Sequence, residues 1–183
     1  MIILVTGGAR SGKSSFAEKL ALKIGNGRAA YIATAQIFDD EMNFRVKLHQ
    51  ARRGKNWTTF EAPFAAEEKI SEAGKNFGVI LFDCVTIYVS NFLCAAELDD
   101  EKFLYDELRE RIQKIIDAAK NSGATTIFVS NEVGGGIVPE NKLARRFRDL
   151  AGLANQMLAA QADKVFLTVA GLAVDLKKLE EKI

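Results

Sequence analysis

Eight consecutive residues, Gly7, Gly8, Ala9, Arg10, Ser11, Gly12, Lys13 and Ser14, carry the most specific chemistry in the sequence. They fit the spacing G-x-x-x-x-G-K-[ST] in full. Glycines let the backbone curl so that successive N–H groups converge on phosphate oxygens. Lys13 adds a compact positive charge for the outer phosphates, and the Ser14 hydroxyl can ligate Mg²⁺. The pattern predicts a phosphate loop for a nucleoside triphosphate. Asp83 ends the apolar run Val79-Ile-Leu-Phe, the place for a second carboxylate that orients Mg²⁺ through water. A helix-capping aspartate after a strand is the other reading.

His49 is the one histidine of the chain. It lies in a segment, 39–53, that starts acidic, ends basic and predicts a helix. Arg45, His49 and Arg53 fall at i, i+4 and i+8 with Arg52 close by, so an imidazole would share a face with guanidiniums. A neutral imidazole, with an ordinary pKa near ~6.5, offers a nucleophilic nitrogen. Arginines around it would hold anionic phosphates and lower that pKa further. From the residues alone the plainer alternative, a solvated basic helix with an incidental histidine, is favoured.

These groups need elements to position them. Short β-branched runs at 2–6, 29–34, 79–83, 125–130 and 164–169 alternate with longer amphipathic patterns at 14–24, 99–120 and 141–162. Four of the five runs are almost continuously apolar, as in strands covered on both faces, which predicts a parallel sheet between helices. Trp57-Thr-Thr-Phe60, ahead of Pro63, predicts a further edge strand. The phosphate-loop motif falls between the first strand and the first helix, the context it requires. The expected fold is α/β: a three-layer P-loop NTPase (RecA-like) domain with a mostly parallel central sheet, spanning 1–183 as a single domain.

Composition agrees. The 183 residues carry 25 Lys+Arg against 24 Asp+Glu, a net charge of +1, so no basic excess points to nucleic acid. With 48% hydrophobic residues and only two prolines, the chain is neither disordered nor low in complexity. Cys84 and Cys94 are too few for a disulfide framework or a zinc site and suit a reducing cytosol. Neither a secretory leader nor an 18-residue apolar run is present, so a cytoplasmic protein with no membrane span is expected.

Longer stretches carry a resemblance. VTGGARSGKSSFAE at the start, YIATAQIFDDEMNFRVKLHQARR, W-T-T-F-E at 57–61 and SNEVGGGIVPENKLARRFRDLAGLANQMLAAQADKVFLTVAG at 130–171 resemble the bifunctional adenosylcobinamide kinase / adenosylcobinamide-phosphate guanylyltransferase family of cobalamin biosynthesis. The resemblance implies two reactions, with Mg²⁺ as cofactor and GTP and ATP as substrates. A triphosphate phosphorylates adenosylcobinamide; GTP then yields a GMP–histidine adduct that passes GMP to adenosylcobinamide phosphate, giving adenosylcobinamide-GDP. His49, four residues beyond Arg45, matches the nucleotidylated histidine. Some relatives have two adjacent histidines where this chain has Leu48 and His49. The resemblance also implies nucleotide contacts at Ala33, Thr34, Ala35, Gln50, Ala51, Arg52, Arg53 and Glu61, a metal or ribose role for Asp83, and a homo-oligomer such as a trimer, with corrin bound between subunits.

Other expectations are structural. Asn131 and Glu132 end a strand at the carboxyl edge, where α/β sheets place ligands, and are structural or substrate-positioning. Gly134, Gly135 and Gly136 predict a tight loop. Arg145, Arg146 and Arg148 read as a basic helix face ahead of a corrin contact, and Phe92, Leu93 and Phe103 as core ahead of interface. The segment 36–55 is expected to close on GTP. Rival readings are a small-molecule kinase without guanylyl transfer and a non-catalytic nucleotide-gated module.

Overall fold

A computed structural model describes residues 1–36, 54–96 and 100–181. The predicted helix at 39–53, with Arg45, His49, Gln50, Ala51, Arg52 and Arg53, lies outside the described residues, as does nearly all of the segment 36–55.

Seven strands form one sheet: β1 (Ile2–Gly7), β2 (Ala29–Ala33), β3 (Trp57–Glu61), β4 (Val79–Asp83), β5 (Thr125–Asn131), β6 (Lys164–Val169) and β7 (Leu172–Asp175). Their order is β3-β2-β4-β5-β1-β6-β7. All neighbours are parallel except the β6–β7 hairpin. The expected mostly parallel sheet is present, and 57–61 is indeed its far edge. Every residue of β1 is buried, which is why its sequence is apolar without alternation. Ile3, Val5, Tyr31, Leu81, Ile127 and Val129 point to one face, where they meet Ala17 and Ala21 of α1 (Lys13–Ile24). Leu4, Ile32, Ile80, Phe82 and Phe128 point to the other.

Four helices cover that second face: α2 (Ala66–Gly74), α3 (Val85–Ala95), α4 (Glu101–Asn121) and α5 (Lys142–Gln161). In α4 the stripe Leu104, Leu108, Ile112, Ile115 and Ile116 is buried. Asp100 caps it by accepting from the N–H groups of Lys102 and Phe103, at 2.9 and 3.4 Å. Asn141 caps α5 by accepting from the N–H of Ala144 at 3.1 Å, and such caps are worth about 1 kcal/mol each.

Two expectations change. Phe103 is not core: it stands one step off the α4 stripe and is 57% exposed, whereas Phe92 and Leu93 are buried. Leu143, which the amphipathic pattern at 141–162 would place on the buried stripe, is also exposed, in the first turn of α5. The loop at 134–136 is tight, yet none of its glycines adopts a left-handed backbone. Gly135 and Gly136 would have open space for a side chain.

Candidate active site

The phosphate loop leaves the carboxyl end of β1, next to the center of the sheet, and enters α1. Gly12, immediately before α1, has φ 94°, a left-handed conformation that glycine adopts at no steric cost, and Arg10 is held at φ 57°. No side chain caps α1 and its first turn has no acidic residue. Its free N–H groups and dipole are therefore left for an anion.

Lys13 is buried, and its ammonium donates to the Gly8 carbonyl at 3.1 Å, across the mouth of the loop. Burial lowers its pKa, with Cys84 and Asp83 acting in the opposite direction. The cation is thus short of counter-charge, the condition in which a triphosphate binds strongly. Ser14 follows it on the first turn, half-buried.

Asp83 ends β4, one strand beyond β5, and its Oδ2 accepts from the Tyr31 hydroxyl at 2.9 Å. Among the described residues no group of three or more His, Cys, Asp or Glu could hold a metal by itself. Ser14 and Asp83 instead offer hard oxygens of the kind Mg²⁺ takes when phosphates supply the rest of its shell. The donor set fits that ion. The neighbouring Cys84 thiol is buried and pushed up to about 11, first by burial and then by Asp83, so it stays protonated and is no nucleophile.

Ala33, at the end of β2, is in register with Asp83 on one side and Glu61 on the other. That brings Ala33, Asp83 and Glu61 to the same carboxyl edge, with Glu61 exposed. Thr34 is fully buried. Its hydroxyl donates to the Cys84 carbonyl at 2.9 Å and accepts from the Cys84 N–H at 2.8 Å. Its carbonyl accepts from the Asn91 amide at 2.8 Å. The Thr34 side chain therefore braces the Asp83–Cys84 corner from inside the protein. Ala35 follows it, half-buried.

The basic helix face on α5 is partly spent on the neighbouring loop. Arg148 donates to the carbonyls of Gly136 and Gly134 at 3.1 and 2.6 Å, Arg145 to those of Pro139 and Glu140, and Arg146 pairs with Glu101 at 3.5 Å. The Asn131 amide donates to the Thr86 hydroxyl at 3.1 Å. The Glu132 N–H donates to the Gly7 carbonyl at 3.0 Å, tying this loop to the phosphate loop.

Sequence reasoning missed the brace beneath the phosphate loop. Thr168 on β6 exchanges a hydrogen bond with Ser11 at 2.9 Å and donates to the Thr6 carbonyl at 3.0 Å. The β6–β7 turn, Ala170-Gly171, has positive φ at both residues, as a two-residue hairpin requires. Its Gly171 N–H donates to the Ser11 carbonyl at 2.9 Å. A Cβ on Gly7 would lie 2.7 Å from Ser11 Oγ and closer still to Thr168, and one on Gly12 would lie 3.1 Å from Gly171 Cα. Both glycines are needed for this close approach. No local signal marks Thr168 or Gly171, because their partners are distant in sequence.

Residues 3–176 match the family described as cobinamide kinase / cobinamide phosphate guanyltransferase. The chain is 46% identical to the bifunctional adenosylcobalamin biosynthesis protein CobU of Salmonella typhimurium, across 97% of this chain and all of that protein. It is 44% identical to the CobU of Escherichia coli over the same shares. Among solved structures it is similar to the flagellar accessory protein FlaH of Methanocaldococcus jannaschii, with TM-score 0.49 and 14% identity over 94% of this chain and 74% of that one. With a full-length family match added to an intact phosphate loop, the chain belongs to the cobinamide kinase / cobinamide phosphate guanyltransferase family.

Proposed function

We propose that this enzyme performs both transfers of its family on adenosylcobinamide, with the loop Gly7–Ser14 holding the triphosphate and His49 carrying the guanylate. The observation that carries the reading is the Lys13 ammonium, desolvated and donating across the phosphate loop to the Gly8 carbonyl, in a chain of this family. In the kinase step the acceptor hydroxyl oxygen attacks the γ-phosphorus and the β–γ bridge breaks. The hydroxyl proton is lost, and nucleoside diphosphate leaves. In the second step an imidazole nitrogen of His49 attacks the α-phosphorus of GTP and pyrophosphate leaves. A phosphate oxygen of adenosylcobinamide phosphate then displaces the histidine, breaking the P–N bond and forming adenosylcobinamide-GDP.

The chain's own groups divide this work. Lys13 and the N-terminal N–H groups of α1 grip the phosphates and offset charge building on the leaving group. Ser14 and Asp83 would hold Mg²⁺, whose chemistry is neutralisation of the polyphosphate. Ala33, Thr34, Ala35, Glu61 and the stretch Gln50 to Arg53 belong to the nucleotide's surroundings in this reading. A cytoplasmic setting is supported by two unpaired cysteines, Cys84 and Cys94. Among the described residues no helix is long and apolar enough to cross a membrane.

The test is incubation with GTP and Mg²⁺, followed by intact mass and peptide mapping. A GMP adduct on His49, acid-labile and base-stable, is expected. His49→Asn should lose the adduct and still phosphorylate cobinamide. An adduct on His49→Asn protein removes His49 from the mechanism, and phosphorylation without any adduct leaves a kinase alone.

A further inference from the structure

Asn91 is a polar residue buried in α3, a helix that is otherwise apolar on nearly every side. A carboxamide in such a place is costly unless its N–H groups find acceptors. Both of them do. Asn91 Nδ2 donates to the carbonyl of Thr34 at 2.8 Å and to that of Pro63 at 3.1 Å. Neither acceptor belongs to a helix or a strand: Thr34 is the first residue after β2, and Pro63 is the second after β3. The Ala62 N–H still donates to the Ala33 carbonyl at 2.7 Å. One residue further on, the amide of Asn91 continues the join between the two chains, one proton for each.

Thr34 makes a similar join on the other side of β2. Its hydroxyl accepts from the Cys84 N–H at 2.8 Å and donates to the Cys84 carbonyl at 2.9 Å. Ala33 and Asp83 are the final register pair of β2 and β4, so these bonds fall at the residue just past Asp83. Two side chains, Asn91 and Thr34, thus tie the carboxyl ends of β3, β2 and β4 together. They are 7% and 0% exposed, and they act from beneath the site. A buried polar network with its donors satisfied in this way holds one geometry.

What the tie holds is Asp83. The Tyr31 hydroxyl fixes the carboxylate, donating to Oδ2 at 2.9 Å, while the backbone that aims it is fixed at Cys84. Mg²⁺ demands near-ideal octahedral geometry with short bonds, so its binding is sensitive to where a protein oxygen stands. Releasing Thr34 from α3 would loosen the corner on which Asp83 depends.

We propose that Asn91 is a positioning residue for the Mg²⁺ carboxylate, acting through Thr34 and Cys84 on Asp83, an inference that rests on the metal role proposed above. Titration calorimetry of GTP binding in Mg²⁺ and in EDTA tests it, the readout being the ratio of the two Kd values. Asn91→Leu, similar in size but without donors, should shrink the wild-type ratio at least about fivefold, with the Kd in EDTA within about twofold of wild type. Thr34→Val breaks the next link at nearly constant shape and should shrink the ratio similarly, so the test survives if Asn91→Leu does not fold. Asp83→Asn should lose most of the Mg²⁺ dependence, and adding Asn91→Leu to it should change the remainder by less than about twofold, since residues acting through one group are not additive. A ratio unchanged in Asn91→Leu and Thr34→Val, or a loss that adds in full to that of Asp83→Asn, overturns the positioning role alone. A wild type whose GTP affinity ignores Mg²⁺, or an Asp83→Asn protein that keeps the dependence, overturns the metal role of Asp83 and this inference with it.

Discussion

Lys13 has a lowered pKa because burial strips water from its ammonium, with Cys84 and Asp83 only partly opposing the shift. Unfolding restores the ordinary lysine value of 10.5. Between the lowered value and the ordinary one the unfolded chain binds more protons, so stability without nucleotide rises with pH across that window. Below it the desolvated charge is a constant penalty. Lys13→Met should therefore lower both transfers by on the order of 100-fold or more. Its melting temperature without nucleotide should equal or exceed that of the wild type. Urea melts at about pH 7 and about pH 10 should show the wild type gaining on the variant at the higher pH; a Lys13→Met protein that melts well below wild type at both values contradicts this account. The cysteines give a second check. Cys94 is exposed and Cys84 buried with its thiol pushed up to about 11. Maleimide should modify Cys94 alone in the native protein and both thiols in urea, as read by intact mass.

At the scale of elements the phosphate loop is only as firm as the hairpin against it. Thr168→Val deletes the bonds to Ser11 and to the Thr6 carbonyl. It should cost about 1–3 kcal/mol in chemical denaturation and weaken GTP binding, measured by titration, while Thr168→Ser, which keeps the hydroxyl, largely restores both. The difference between the loop and its brace also explains what could be read in advance. The loop is local: eight contiguous residues specify it, and β1, β4 and β5 announce themselves by unbroken apolar runs. Helix α3 does not, because VTIYVSNFLCA is apolar nearly all round and its burial leaves no polar face to reveal a 3.6-residue period. The short α2 and the four-residue β7 carry too few residues for a pattern. Thr34 illustrates the same limit. The family resemblance implies a nucleotide contact there, while its hydroxyl and carbonyl are engaged by Cys84 and Asn91, 50 and 57 residues onward.

For the whole molecule, the sheet is unevenly finished. Strand β7 forms one edge, with Leu172 73% and Val174 47% exposed and Val169 and Leu179 close to it in sequence and also exposed. Apolar side chains grouped on a sheet edge suit contact with another chain. The homo-oligomer expected of this family would cover them. Light scattering should then give a mass that is a multiple of 20.1 kDa, and Leu172→Lys with Val174→Lys should shift it toward one chain. A wild-type mass of a single chain removes the expectation. The hairpin that ends in β7 has a further consequence in time. Residues 7–14 leave the ribosome early, but Thr168 and Gly171 follow more than 150 residues later. A nascent chain therefore has the letters of its phosphate grip long before it has the grip, and capture of GTP becomes a chemical signal that synthesis has passed the turn at 170–171.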